Sequence, residues 1–278
     1  MSLPDHGVGF ACQTYSWQMS GERYRGRLDH IAVVAAEAGF PALEPEAWML
    51  GGYRDPARLE ELLDEHGLGL AAVALAQPWR EDDETADERL EADAVISLLV
   101  RFPGARLVLV QLPGADRSNL ARRQACAISC INAVARRALR AGVPPTVHPN
   151  SPPGSLFRTR DDYEILLDRL DPEIGFTPDV GHVAAGGMDP LELVRSHRER
   201  VDHVHLKDLD SEGRWAATGK GVLDFPGIVS LLVDTGYRGW LVFEDECAES
   251  ERDPDAAAGS NARYARDVLM PIVGGRSW

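Results

Sequence analysis

Val201-Asp-His-Val-His-Leu-Lys-Asp208 is the stretch on which the fold turns. Read as a strand, whose successive side chains point to opposite faces, it sets His203, His205 and Lys207 on one side and Val204 and Leu206 on the other. Two imidazoles and an amine in a row, backed by aliphatic side chains, are not ordinary core packing. Similar runs lie on either side. Thr177-Pro-Asp-Val-Gly-His182 precedes it and Trp240-Leu-Val-Phe-Glu-Asp-Glu246 follows, each a strand-like segment ending in acid or imidazole. Three successive strands thus offer Asp, His and Glu at their ends, a donor set suited to a divalent metal.

Working outward, strand-like apolar runs alternate with amphipathic helical segments along the whole chain, the pattern of repeated βα units and a parallel sheet. The strands are expected at Val8 to Tyr15, Ala42 to Ala47, Leu70 to Ala76, Arg106 to Leu112, Pro145 to Asn150, Ile174 to Asp179, Val201 to Asp208 and Gly239 to Glu246. Helix starts are marked by Asp55-Pro56, Thr159, Asp189-Pro190 and Asp224, whose side-chain oxygens accept free backbone N–H groups. Helix ends are marked by Gly39, Gly67, Gly142 and Gly236. Eight such units without a break in composition predict an α/β protein with a single-domain (β/α)8 TIM barrel over residues 1–278. A dinucleotide fold loses its main support, because no Gly-x-Gly-x-x-Gly follows the first strand. Ala248 to Asn261, rich in Asp, Glu, Ala and Ser, reads as a mobile loop.

Composition narrows the function. At 278 residues and 44% hydrophobic content the chain can bury a large core. A formal charge of −15 opposes extended contact with nucleic acid or an anionic membrane, since affinity there comes from Lys and Arg against phosphates. No apolar run reaches the length of a membrane span, and Met-Ser-Leu-Pro-Asp-His-Gly at the start lacks the features of a secretory signal. The expectation is a soluble, cytoplasmic protein with a small, neutral substrate, compatible with a homo-oligomer. Cys12, Cys126, Cys130 and Cys247 are scattered and read as reduced, buried thiols.

If the period-2 faces of the strands point into the barrel, Asp179, Glu244 with Glu246, His205 with His203 and Lys207, and His148 with Thr146 and Asn150 crowd its C-terminal mouth. Mixed oxygen and nitrogen donors suit Mn, Co, Mg or Zn. His203, one step deeper, reads as support for the metal site. Trp17, Trp48, Trp79 and Trp215 fall at strand-end loops, where aromatic walls for sugars are built, although for any single one barrel packing is the better reading. Gly219-Lys-Gly221 offers backbone N–H groups and an amine to a phosphate, a weak signal at that length. His6, His30, His66 and His197 read as surface residues.

The runs His203-Val-His-Leu-Lys-Asp208, Asp179-Val-Gly-His182, Gly219-Lys-Gly-Val-Leu-Asp-Phe225 and Gly236-Tyr-Arg-Gly-Trp-Leu-Val-Phe-Glu244 resemble the xylose isomerase-like TIM-barrel superfamily. Within it, the chain is most similar to the sugar phosphate isomerase/epimerase and inosose dehydratase branch. Gly9 to Trp17 and Ala38 to Glu44 share the likeness, which therefore covers nearly the whole chain. The resemblance implies metal ligands at Asp179, His205 and Glu244, with His182 touching substrate. The family's fourth ligand is a Glu at the end of the fifth strand. Thr146 stands where that Glu is expected, so either His148 takes its place or the protein supplies three ligands.

The implied chemistry is proton removal beside a metal-polarised carbonyl, giving an enediolate. Return of the proton isomerises or epimerises a keto-sugar or polyol; loss of a β-hydroxyl dehydrates it, as in an inosose dehydratase-type lyase. Glu44 or Glu46, Lys207 and Glu246 are the acid and base candidates, with Glu44 preferred as base from its family position. Gln13, Trp17, Asn150 and His182 are the candidate substrate contacts. Isomerase or epimerase is the leading reading and lyase the alternative. A multi-zinc abasic-site endonuclease ranks below both, because the strand ends of the second half supply only His148, His182, His203 and His205 and the charge opposes DNA. A non-catalytic sugar-binding barrel also ranks below, since fold alone licenses no activity.

Overall fold

The computed structural model describes residues 7–274, so His6 lies outside the described residues. Eight parallel strands form the barrel: β1 (Val8–Gln13), β2 (Ala42–Glu44), β3 in two pieces (Gly69–Leu70 and Ala72–Gln77), β4 (Arg106–Gln111), β5 (Pro145–His148), β6 (Gly175–Phe176), β7 (Val204–Leu206) and β8 (Gly239–Phe243). Neighbours in sequence are neighbours in space, and β8 pairs back onto β1 through Phe10 opposite Leu241. The ring is completed by the bridges Asp179 to His205 between β6 and β7 and Glu46 to Ala74 between β2 and β3. Each strand feeds one outer helix in order: Leu28–Ala38, Pro56–Glu65, Ala86–Leu99, Leu120–Arg140, Arg160–Arg169, Pro190–Ser196, Phe225–Asp234 and Pro254–Tyr264. The expected (β/α)8 barrel is the observed architecture.

The caps read from sequence do what their chemistry predicts. Asp55 accepts the Ala57 N–H at 3.0 Å, Asp224 accepts that of Gly227 at 2.9 Å, and Thr159 with Asp162 forms a reciprocal capping box. Several strands end earlier than expected, for one reason. Pro45 and Pro149 directly follow β2 and β5, and Pro178 lies just beyond β6. Proline has no N–H to donate, so the ladder stops at the mouth and the chain is released into the loops that bear function.

The stretch from Ala248 to Asn261 is a correction. It forms the helices Ala248–Arg252 and Pro254–Tyr264, the second started by Asp253, whose carboxylate accepts the Ala256 N–H at 3.1 Å. Its Ala and Glu content is helix-forming, and the Asp-Pro start signal outweighs the polar composition.

Two layers of side chains divide the interior. The outward faces of the strands, including Phe10, Leu75, Leu109, Phe176, Leu206 and Phe243, pack under the helices in one large core. Inside the ring, Ala11, Ala42, Ala71 and Val242 surround Trp240, which plugs the lower barrel. Gly9 makes room for that indole: a Cβ there would lie 2.3 Å from the ring. The plug leaves the mouth end for polar groups. The four cysteines are free and buried. Among the described residues, no helix is long and apolar enough to cross a membrane.

Candidate functional site

β5 to β8 deliver His148, Asp179, His205 and Glu244 to one point, each offering a ligand atom within 4.8 Å of the others. Asp179 caps the short helix Val180–Ala185, its Oδ1 accepting the His182 N–H at 2.8 Å, which fixes Oδ2 toward the cluster without a hydrogen bond. His205 Nδ1 lies 2.6 Å from Glu244 Oε2. His148 is buried, yet neither ring nitrogen makes a hydrogen bond, and the 3.6 Å from Nε2 to Asp179 Oδ2 is too long for one. Buried polar atoms without partners are costly, and these converge. Two carboxylates and two imidazoles, with both His148 nitrogens left without a hydrogen bond, fit a divalent cation of intermediate hardness.

Beneath this set lies a second polar layer. Glu44 is fully buried between two rings, with Oε2 2.5 Å from His203 Nε2 and Oε1 2.8 Å from His205 Nε2. Burial alone would raise its carboxyl, but His205 and His203 outweigh that and hold it down at about 2. The same contacts act on His205: burial disfavours its charge, and Glu44 with Glu244 reverses this, raising it to about 10. Glu44 therefore orients His205 from below and does not line the cavity, a correction to its expected place as base. Thr146 is deeper still, bonded to Thr177 at 2.8 Å between hydroxyls.

Lys207 is a further correction. Its side chain does not face the cavity; it is wholly buried, with Nζ 2.7 Å from Glu244 Oε1 and 2.6 Å from Glu246 Oε1. Burial works against its charge, and Asp179, Glu244 and Glu246 more than reverse this. Lys207 also donates to His182 Nε2 at 3.0 Å, so that nitrogen is an acceptor and Nδ1 carries the proton toward Ser151 Oγ at 2.8 Å. Burial, then the Lys207 ammonium, pushes His182 down to about 3. His182 is a neutral wall of the site, edge-on to Trp215 with ring centroids 5.2 Å apart.

Above the donors opens a cavity of about 140 Å³, lined by Gln13, Tyr15, Glu46, Asn150, His182 and Glu246 beside His148, His205 and Glu244. Glu46 is the carboxyl that β2 sends into it. Burial, then the charges of Glu244 and Glu44, pushes it up to about 8, so it is largely protonated at neutral pH. Gln13 Nε2 donates to Glu46 Oε1 at 3.1 Å. Glu246 is raised as well, by burial and by Glu244, against the pull of Lys207. Asn150 lines the cavity, but its amide is occupied, Nδ2 donating to the Gln111 carbonyl at 2.8 Å and Oδ1 accepting from Ser155.

Three other sequence readings change. Trp17 lies on the helix Tyr15–Met19, which turns its indole away from the mouth; it is 1% exposed and donates to Asp255 at 2.7 Å. That helix instead brings Tyr15 and Gln18 to the cavity, residues that a strand-only reading of Val8 to Tyr15 passes over. The Gly219-Lys-Gly221 loop does not offer its glycine N–H groups to a phosphate. The N–H groups of Gly219 and Gly221 are held by Asp208 at 3.0 and 2.9 Å, and Lys220 reaches Glu249 at 3.3 Å.

Known proteins share this architecture. The family model described as xylose isomerase-like TIM barrel matches residues 33–268. The rhizopine catabolism protein MocC of Rhizobium meliloti is 30% identical over 253 residues, 80% of this chain and 74% of that protein. An inosose dehydratase of Geobacillus kaustophilus is 28% identical over 140 residues, 43% of this chain, and the match spans only 44% of that relative's length. Among solved structures, the IolI protein with a bound zinc atom superposes with a TM-score of 0.74 at 14% identity, covering 96% of this chain and 98% of that one, a likeness of fold. The closed ring, the donor cluster at its mouth and the matched span agree: the chain belongs to the xylose isomerase-like TIM barrel family.

Proposed function

We propose that the protein is a divalent-metal-dependent lyase that removes water from a neutral keto-polyol or keto-sugar. The observation that carries this reading is Glu46, a buried carboxyl that reaches a cavity whose lining, among the described residues, includes no Lys or Arg, and whose burial favours its protonated form. Sequence alone ranks isomerisation or epimerisation first; a neutral acid in the cavity, together with relatives that are inosose dehydratases, moves dehydration ahead.

His148, Asp179, His205 and Glu244 would hold the metal. When bound, it would polarise the substrate carbonyl and so acidify the neighbouring C–H. Glu246 then takes that proton, its basicity raised by burial. Glu46 gives its proton to the β-hydroxyl, which departs as water and leaves an unsaturated ketone. Gln13 keeps the Glu46 carboxyl turned inward, and His182 with Tyr15 bounds the ring of the substrate. Among the described residues no Lys or Arg lines the cavity, and the Gly219 and Gly221 N–H groups are held by Asp208, which speaks against a phosphorylated substrate.

The test is incubation of the metal-loaded protein with keto-inositols, common ketoses and their phosphates. Loss of one water from an unphosphorylated substrate, seen by mass spectrometry, is expected. Conversion without change of mass would return the site to an epimerase or isomerase, and preference for the phosphates would overturn the assignment of a neutral substrate.

A further inference from the structure

Lys207 has no part in that proton transfer, and its surroundings are unusual for a lysine. The ammonium is wholly buried and meets three carboxylates at once, with Glu244 Oε1 at 2.7 Å, Glu246 Oε1 at 2.6 Å and Asp179 Oδ2 at 3.2 Å. Two of these belong to the donor set. Lys207 takes Glu244 through Oε1, which leaves Oε2 turned toward His205 and the other donors. The rings of Trp215 and Tyr15 stand 5.4 and 5.7 Å from the nitrogen and screen it from water.

Buried carboxylates are tolerated only when paired; without Lys207, Glu244 would keep His205, but Asp179 and Glu246 would lose their ammonium and depend on an added ion. We propose that Lys207 is a resident counter-cation: it neutralises the ligand carboxylates when no divalent ion is bound and opposes the ion's charge when one is. The fold is thereby independent of the metal, and metal affinity is set below what the same donors would give alone. This rests on the divalent-ion reading of the site. The role has a distinctive sign. A lysine that merely aligned the ligands would, on removal, weaken metal binding, whereas removing a counter-cation strengthens it.

The experiment is Lys207→Met in the full chain, stripped with chelator and titrated with Mn²⁺ by calorimetry, with melting curves recorded with and without Mn²⁺. Removing a unit charge a few ångströms from the ion should tighten Mn²⁺ binding roughly tenfold or more. In chelator the variant should melt well below the wild type, and Mn²⁺ should restore most of the loss. Adding Glu246→Gln should raise the melting temperature of the chelator-treated variant, because one uncompensated carboxylate is gone. Unchanged or weaker Mn²⁺ binding overturns the proposal. So does an equal melting loss with and without Mn²⁺, or a double variant no more stable than the single one, including the case where neither folds. A wild-type chain that binds no Mn²⁺ defeats the metal reading itself; wild-type binding without tightening in Lys207→Met defeats only the counter-cation.

Discussion

Gln13 and Glu46, from neighbouring strands, meet at the cavity through a hydrogen bond of 3.1 Å from Nε2 to Oε1. The contact favours the charged form of Glu46, yet burial and the charges of Glu244 and Glu44 prevail and leave the carboxyl at about 8. If the protonated form donates to the leaving hydroxyl, turnover is steady at neutral pH and falls as pH rises past about 8. Glu46→Gln should lower turnover by roughly 10²- to 10⁴-fold, the usual scale for a lost general acid. Gln13→Ala should move the alkaline limb to higher pH, because it removes an interaction that lowers the value. Rate profiles of the three proteins decide this; a Glu46→Gln enzyme near wild-type turnover would rule the acid out.

Glu44 and His205 give the metal-free protein a pH-dependent stability whose sign can be worked out. His205 is raised from 6.5 in the unfolded chain to about 10 in the fold, so its contribution is complete below pH 6.5 and is lost as pH rises through 10. Glu46, raised from 4.5 to about 8, acts in the same direction. Chelator-treated protein should therefore melt at progressively lower temperature above pH 6.5, and Glu44→Gln should flatten the part due to His205. A melting temperature that rises across this interval would contradict the pairing.

How much of this was legible in the sequence depends on distance along the chain. Alternation within Val201 to Asp208 is local geometry, so the shared face of His203, His205 and Lys207 could be read directly. Depth in the barrel could not. Glu44 and Glu46 have the same parity, and only the packed ring shows that one is sealed under His205 while the other reaches the cavity. Lys207 likewise has the right face, but its amine is captured by acids from β6 and β8. The Asp208 clamp on the 219–221 loop spans eleven residues or more and carries no local signal. For Trp17, a helical turn after β1 redirects a side chain that a continued strand would have kept at the mouth.

Gly9 and Trp240 test the lower barrel independently of the site. A Cβ at position 9 would sit 2.3 Å from the indole, which is buried inside a ring of fixed circumference. Gly9→Ala should destabilise by about 1–3 kcal/mol, the cost of overpacking a filled core. Denaturant melts would show it, and wild-type stability in the variant would mean that the plug is not tightly packed.

The vacancy that the sequence leaves at the fifth strand can be settled with two substitutions. His148 presents unpartnered nitrogens beside Asp179, whereas the Thr146 hydroxyl is spent on Thr177. If His148 is the fourth ligand, His148→Ala should weaken Mn²⁺ or Zn²⁺ binding by at least tenfold. Thr146→Ala should lose some stability through the Thr177 bond and leave metal affinity unchanged. Calorimetric titration of both variants separates the cases. Undiminished metal affinity in His148→Ala would mean that Asp179, His205 and Glu244 hold the ion alone, with water completing its shell.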